Sequence, residues 1–457
     1  MLLISELFVF IHVIGFLVSI VKSKRTYKTV SDSYFAAYSA PSVTCFICTY
    51  NEPAELVEET VASVLNLDYR NKEVVLLDDS TGAFKTQLKE LGKKYSIRVI
   101  HRDERSGFKA GAINNGLKYS KAKYIVVFDA DQKPTSNFLK DLVYLLEQDE
   151  QLALVQTPQF YTNTRNLIAQ AAWFRQSVFY EYVCEGKSTN NAMFCCGSNF
   201  ILRRKAIDEI GGFDETTVTE DFATTLKLQK IGWKTLYYNV VYVSGLGPIT
   251  LGAYFVQQYR WAHGTVTTFK EVVRSFIKNP FALKPAQWWE YILSSTYFFT
   301  GWSNFVFMTL PIAFLLFGIR PLIADPIAYL AAFVPYFVLT LLLFAYSMKE
   351  RGYQIKDLFF GQAISLITFS VYMVADAAAL LGIKTKFMTT PKEDTSVLSI
   401  VVLWPQLVML ALSILAVTIG IVRGIETGSF AVWINVFWAF YHAALLSYIF
   451  VFNKRKG

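Results

Sequence analysis

Four polar clusters in this chain carry residue types that can do chemistry together. They are Asp78-Asp79, Asp129-Ala130-Asp131, Thr219-Glu220-Asp221 and Gln257-Gln258-Tyr259-Arg260-Trp261. Asp129-Ala130-Asp131 ends an apolar run. Two carboxylates two residues apart at a strand end can reach one hard cation, which in turn neutralises a diphosphate. Turns are also rich in Asp. The position after an earlier Asp-Asp strand end favours the metal. Asp78-Asp79 follows Val74-Val75-Leu76-Leu77. It can accept hydrogen bonds from a uracil N–H or a ribose hydroxyl, or it can cap a loop.

Lys109-Ala110-Gly111 follows Gly107, so the chain can approach a ligand closely, and a helix start with a lysine suits phosphate. Thr219-Glu220-Asp221 opens a helix. Thr219 could serve as its N-cap, and Asp221 could be a general base for an acceptor hydroxyl. Gln257 and Arg260 fall close together on one helix face, with Trp261 beside them. An arginine can neutralise a departing diphosphate, and an indole can stack on a sugar ring. A snorkelling Arg and Trp on an interfacial helix would read the same way.

These residues need a scaffold, and the patterning describes one. Between about 42 and 240, short apolar runs alternate with amphipathic ones. Strands are expected at Val43–Cys48, Glu73–Leu77, Arg98–His101, Tyr124–Phe128, Phe194–Arg203 and Trp233–Tyr238. Helical spacing occupies 54–66, 83–95, 109–120, 166–184 and 219–231. Such alternation predicts a parallel sheet wrapped by helices, with ligands at the carboxyl ends of the strands. After Leu251, the positions Tyr254, Phe255, Tyr259, Ala262, Val266 and Phe269 follow helical spacing with polar residues between. That describes an amphipathic helix in a membrane interface.

The composition points to a membrane. Of 457 residues, 53% are hydrophobic and 18% charged, too apolar for an ordinary soluble enzyme. The net charge of +8 gathers beside apolar spans, which fits anionic lipid headgroups rather than nucleic acid. Residues 2–21 are almost wholly apolar and are followed at once by Lys22, Lys24, Arg25 and Lys28. A signal peptide has the reverse order of charge, so a retained anchor with a cytoplasmic C-terminal end is expected. Further spans lie near 293–318, 327–347, 398–422 and 428–452. The segment 361–383 contains Asp376 and several hydroxyl side chains, which are costly in a bilayer. If the basic groups around Lys349, Lys386 and Arg455 all face the cytoplasm, it cannot cross, which leaves five crossings. Of the five cysteines, Cys45-x-x-Cys48 sits in an apolar strand without a second such pair. It reads as buried structural thiol in a reducing compartment rather than a metal or redox site.

Taken together, the clusters resemble the processive family 2 glycosyltransferases, most closely the cellulose synthases. The resemblance runs from about residue 42 to 420 and rests on D-D, D-x-D, T-E-D and Q-x-x-R-W in that order. Thr49-Tyr50-Asn51-Glu52 is similar to the family's first nucleotide-binding loop, and Lys109-Ala110-Gly111 to its K-A-G element. Phe194-Cys195-Cys196-Gly197-Ser198 is similar to F-F-C-G-S at the acceptor end, with Cys195 replacing a Phe. Phe387-Met388-Thr389-Thr390-Pro391-Lys392 resembles a gating loop, with Thr389 where Val is usual.

The resemblance implies a GT-A (Rossmann-like) α/β domain on the cytoplasmic side of the cell membrane, inserted between about five crossings and interfacial helices. Its parts would be a transmembrane helix at 1–22, a catalytic domain at 23–245 and interfacial helices with Q-x-x-R-W at 246–290. A membrane region at 291–457 would include an interfacial segment at 361–383 and the gating loop at 384–396. It implies Asp221 as catalytic base. Donor binding would fall to Tyr50, stacking on uracil, with Glu52, Asp78, Asp79, Lys109, Asp129, Gln257, Arg260, Thr390 and Lys392. Cys196, Glu220 and Trp261 would hold the acceptor, and Asp129 and Asp131 would hold Mg2+ or Mn2+. The expected reaction is inverting, processive transfer from a UDP-sugar, UDP-glucose foremost, to a growing β-linked polysaccharide that is exported. The alternative is a single sugar added to a lipid. Accessory export subunits stay open as partners. Relatives with cyclic di-GMP regulation carry more spans and a further C-terminal domain, so that regulation is not expected here.

Overall fold

The computed structural model describes residues 1–23, 40–217, 219–320, 325–383 and 396–454. A seven-stranded sheet in the order β3-β2-β1-β4-β8-β6-β9 forms the centre of the domain between the first and later apolar helices. Its strands are β1 (Val43–Thr49), β2 (Lys72–Asp78), β3 (Arg98–His101), β4 (Tyr124–Asp129), β6 (Leu152–Gln156), β8 (Phe200–Arg203) and β9 (Lys234–Tyr237). A small sheet of β5 (Lys133–Pro134), β10 (Val243–Gly245) and β7 (Gln159–Tyr161) lies beside it.

The register explains why the acidic clusters meet. β1 runs parallel to both β2 and β4, with Thr49 opposite Asp78 and Cys48 opposite Asp129. β2 and β3 are also parallel, with Asp78 opposite His101. The three strands beginning with β1, β2 and β4 are apolar almost to their last residue. Their polar tips therefore emerge together at one edge. Both faces of the sheet are covered. Phe128, Phe138, Leu142 and Ile201 pack on one side, and Phe46, Ile113, Ile125 and Phe200 on the other.

Three expectations are corrected. The sheet is mixed rather than parallel, because β8 runs antiparallel to both β4 and β6. The strand expected over Phe194–Arg203 is confined to Phe200–Arg203. Gly197 (φ +84°) and Asn199 (φ +58°) take left-handed backbone that no extended strand tolerates. The helix expected over 166–184 is Leu167–Val178, continued by a π-helical turn at Phe179–Val183 and then by Cys184–Thr189.

Five helices among the described residues are long and apolar enough to cross a membrane: Leu2–Lys22, Pro285–Phe317, Ile327–Glu350, Trp404–Thr427 and Phe430–Phe452. The fourth begins six residues later than the expected start at 398. The segment expected to avoid crossing is two helices, Asp357–Ile367 and Phe369–Leu380, bent by 48°. The chain is thus built as a multi-pass membrane protein. Gly15 lets the first helix lie against Leu293, because an added Cβ would come within 2.4 Å of that side chain. The amphipathic helix is 28 residues long, Leu251–Lys278, and the Thr250 hydroxyl caps it by accepting from the Ala253 N–H at 3.2 Å.

Candidate active site

The strand tips, the start of the Glu220–Lys230 helix and the first turns of the Leu251–Lys278 helix line one cavity of about 610 Å³. Of the expected site residues, Tyr50, Glu52, Asp79, Lys109, Asp129, Asp131, Cys196, Glu220, Asp221, Gln257, Arg260 and Trp261 all line it. Asp78 does not; it turns inward and is only 1% exposed. It accepts from the Ser80 N–H at 2.8 Å and from Thr49 Oγ1 at 3.3 Å, and it pairs with His101 Nδ1 at 3.0 Å. The loop-capping alternative describes this residue, and Asp79 is the member of the pair that reaches the cavity. Thr390 and Lys392, with the rest of 384–395, lie outside the described residues.

The residues expected to take the donor form a set of charges held in pairs. Asp79 accepts from Arg102 Nε at 2.8 Å and is also paired with the Arg102 Nη2 and, at 3.8 Å, with Arg105. Arg102 also donates to the carbonyl oxygens of Ser106 and Phe108, both at 2.8 Å, so it fixes the loop that leads to Lys109. Gly111 in the K-A-G element serves that loop. A Cβ there would strike the Ser106 carbonyl oxygen at 2.1 Å. Lys109 Nζ binds Asp129 and donates to the Gly197 carbonyl at 2.7 Å. Burial pulls the pKa of Lys109 down, but the charges of Asp129, Cys48 and Glu220 outweigh it and leave the pKa raised. Burial also pushes the Cys48 and Cys45 thiols up to about 12, which suits the structural reading of that pair.

The carboxylates fit a hard divalent cation. Asp129 and Asp131 flank the tip of β4, and Asp131 Oδ2 accepts from the Leu246 N–H at 3.0 Å. Burial pushes Glu52 up to about 7, and the negative charges of Asp131 and Asp129 push in the same direction. A bound cation would relieve that crowding. Among the described residues no group of three or more His, Cys, Asp or Glu is placed to hold a metal. An ion held by Asp129 and Asp131 would take its other oxygens from a ligand diphosphate and water.

Glu220 and Asp221 occupy the first two positions of their helix, where the dipole favours negative charge. Burial nevertheless pushes Glu220 up to about 8, with the Asp221 charge adding to it, and pushes Asp221 up to about 6. Lys109 and Arg260 pull both the other way. Asp221 Oδ1 accepts from the Phe222 N–H at 2.8 Å. Thr219 does not cap the helix through its side chain; its hydroxyl pairs with Thr268 at 3.0 Å. Gly197 passes so close that an added Cβ would sit 3.3 Å from Asp221 Oδ2.

Three glutamines that the motif reading missed hold the Cys196 loop in place. Gln156 accepts from the Cys196 N–H at 2.8 Å and donates to the Ser198 carbonyl at 2.8 Å. Gln132 donates to Ser198 Oγ at 2.7 Å and accepts from the Asp129 N–H at 2.9 Å. Gln159 donates to the Cys196 carbonyl at 3.1 Å. Only their position beside strand ends could have marked them. Aromatic rings from Phe160, Phe179, Phe194, Tyr297 and Phe298 line the same cavity as Trp261, and so do His12, Gly15 and Phe16 of the first apolar helix. The π-helical turn matters here, because it presents Phe179, Tyr180 and Val183 to the same space.

Comparisons with known proteins bear on the family and the fold. The family model described as Glycosyl transferase family 2 matches residues 44–211, and the one described as Cellulose synthase matches residues 204–456. A cellulose synthase catalytic subunit [UDP-forming] of Pseudomonas fluorescens (strain SBW25) is 30% identical over 424 residues, covering 89% of this chain and 56% of that protein. A cellulose synthase 1 catalytic subunit [UDP-forming] of Komagataeibacter xylinus is 32% identical over 365 residues, covering 77% of this chain and 47% of the other. The chain thus spans about half the length of these curated relatives. Among solved structures, a mannosyltransferase of Pyrobaculum calidifontis in complex with GDP-Man and Mn2+ aligns with a TM-score of 0.58 at 18% identity. The alignment covers 83% of this chain and 99% of that one. The shared fold is the GT-A type, with a mixed α/β sheet. With a model matching more than half of its length, this chain belongs to the cellulose synthase family and carries a family 2 glycosyltransferase domain.

Proposed function

We propose that this chain is a membrane-embedded, metal-dependent, inverting glycosyltransferase that extends a β-linked glucan from a UDP-sugar, with UDP-glucose as donor. One observation carries the reading. Asp221, a buried carboxylate with a raised pKa, shares a cavity with the strand-tip carboxylates Asp129 and Asp131. The names of the relatives support a UDP-forming reaction and a glucan product.

Asp221 takes the proton from the terminal hydroxyl of the acceptor. The oxygen forms its bond to C1 of the donor sugar from the face opposite the diphosphate, and the C1–O bond to the diphosphate breaks. Asp129 and Asp131 would hold a divalent ion, which would supply Lewis-acid charge to that leaving group. Arg260 adds fixed positive charge. Burial pulls its pKa down, against Asp129, Glu220 and Asp221, yet a guanidinium stays protonated. Lys109 holds Asp129 in register with the Cys196 loop. Burial and the Asp221 charge raise the pKa of Glu220, which can donate to a sugar hydroxyl when protonated. Trp261 stacks on the acceptor ring, and Cys196 borders it.

We assign 1–22 to a membrane anchor, 23–245 to the cytoplasmic catalytic domain, 246–290 to interfacial helices and 291–457 to the membrane region. The bent pair within 361–383 is assigned to the inner surface, with the gating loop after it. Basic flanks support that orientation. The presence of His12, Phe16 and Leu293 of apolar helices in the cavity lining supports a long acceptor and its export, rather than one sugar added to a lipid. The test is to purify the full chain in lipid and supply UDP- and GDP-sugars with Mg2+ or Mn2+. Any polymer is then digested with linkage-specific hydrolases. A long product cut by a β-glucanase is expected. A lipid bearing a single added sugar would overturn processivity.

A further inference from the structure

Arg351 belongs to none of the motifs above, yet distant parts of the chain meet on its side chain. It closes the third apolar helix, Ile327–Glu350, and its side chain is only 8% exposed. Its Nη2 donates to Glu185 Oε2 at 2.9 Å and to Ser23 Oγ at 2.8 Å, and Ser23 is the residue that ends the first apolar helix. Its Nη1 lies 3.4 Å from Glu181 Oε2 and 3.3 Å from Glu185 Oε1. The guanidinium also lies over the Tyr182 ring, 4.6 Å from its centroid, and the Tyr182 hydroxyl donates to the Ser347 carbonyl at 2.6 Å. Glu181 and Tyr182 belong to the π-helical turn Phe179–Val183, and Glu185 to the helix that continues it. Phe179, Tyr180 and Val183 of the same turn line the cavity, whereas Arg351 does not.

A π-helical turn within α-helix is rare, and functional sites are where it recurs. Each residue of an α-helix turns the chain by about 100°, so relaxing the turn by one residue would rotate the Phe179 and Tyr180 rings away from their present facing. Glu181 and Glu185, four residues apart and largely buried, repel each other unless a cation spans them. A guanidinium, with its donors in a rigid fork, spans both and still reaches Ser23. We propose that Arg351 is a positioning residue for the acceptor: it ties the π-helical turn to two apolar helices and so fixes Phe179 and Tyr180 where the sugar chain lies. This inference rests on the acceptor reading given above. Arg351 then acts through the turn, without touching the sugar.

The test compares the apparent KM for a cello-oligosaccharide acceptor with that for UDP-glucose, on the full chain in lipid nanodiscs with Mg2+. Arg351→Ala should raise the acceptor KM about tenfold, within the range that a displaced positioning group costs, while the donor KM keeps the parent's value. A loss of folded protein alone would lower the maximal rate and leave both KM values in place. Arg351→Lys keeps the charge but cannot span both carboxylates and Ser23, so it should raise the acceptor KM about threefold. It carries the test by itself if the alanine variant does not fold. Glu181→Gln with Glu185→Gln in the Arg351→Ala background removes the repulsion. That variant should regain thermal stability without regaining the parent's acceptor KM. An acceptor KM at the parent's level in the Arg351 variants, or its full recovery in the triple variant, would overturn the proposal and leave Arg351 a structural counter-ion. A parent chain that transfers sugar to no oligosaccharide would instead remove the acceptor reading, and this inference with it.

Discussion

Asp129 and Asp221 line the same cavity, yet their surroundings differ in kind. Asp129 sits at a strand tip against Lys109, and nearby Asp79 sits against Arg102 and Arg105. Asp221 and its neighbour Glu220 open a helix, where burial outweighs Lys109 and Arg260 and pushes them up to about 6 and about 8. A carboxylate locked to a cation is built to hold charge. One that titrates near neutrality can take up a proton and release it again. Residue type alone does not distinguish these roles; the surrounding charges and burial do.

The comparison can be broken most severely at Asp221. Asp221→Asn should lower the turnover rate by about two to four orders of magnitude, the usual worth of a general base, while UDP binding measured by calorimetry stays unchanged. The strand-tip carboxylates should fail in another way. Asp131→Asn should weaken binding of UDP in the presence of Mn2+, and excess Mn2+ should recover part of the rate. The loss in rate corresponds to several kcal/mol of charge stabilisation. Chelation of the parent chain should reproduce it. If Asp131→Asn left the metal dependence unchanged, the division between the two groups would fail.

Gly197→Ala sharpens the contrast at the point where the two groups approach each other. It forces a side chain into left-handed backbone, at about 1–2 kcal/mol, and brings a methyl group to 3.3 Å from Asp221 Oδ2. Thermal unfolding should show the stability loss, and turnover should fall more than UDP affinity does. The smallest effect is expected at Trp261. Losing a stacking ring of about 0.5–1.5 kcal/mol should raise the apparent KM for an oligosaccharide acceptor a few fold, with the donor KM unchanged.

How far the sequence reached follows from how local each signal is. β1, β2 and β4 were legible because each is an apolar run closed by a polar residue, and the Asp clusters could be placed at their tips. Their alignment at one edge was legible as well, because parallel pairing fixes it. The antiparallel insertion of β8 was not legible, since strand direction depends on the path of the preceding loop rather than on the strand's own composition. The inward turn of Asp78 depends on His101, twenty-three residues away, so the Asp-Asp pair alone could not show which member faces the ligand. Gln132, Gln156 and Gln159 hold the Cys196 loop through bonds that no spacing rule marks.

The pH dependence of turnover at saturating donor and acceptor tests the central claim most directly. A carboxyl group raised to about 6 is protonated, and cannot accept the hydroxyl proton, below that pH. The rate of the parent chain should therefore climb through about pH 6 and level off above it. The residual rate of Asp221→Asn should show no such limb. A variant that kept both the parent's rate and its acid limb would place the proton elsewhere and contradict the account.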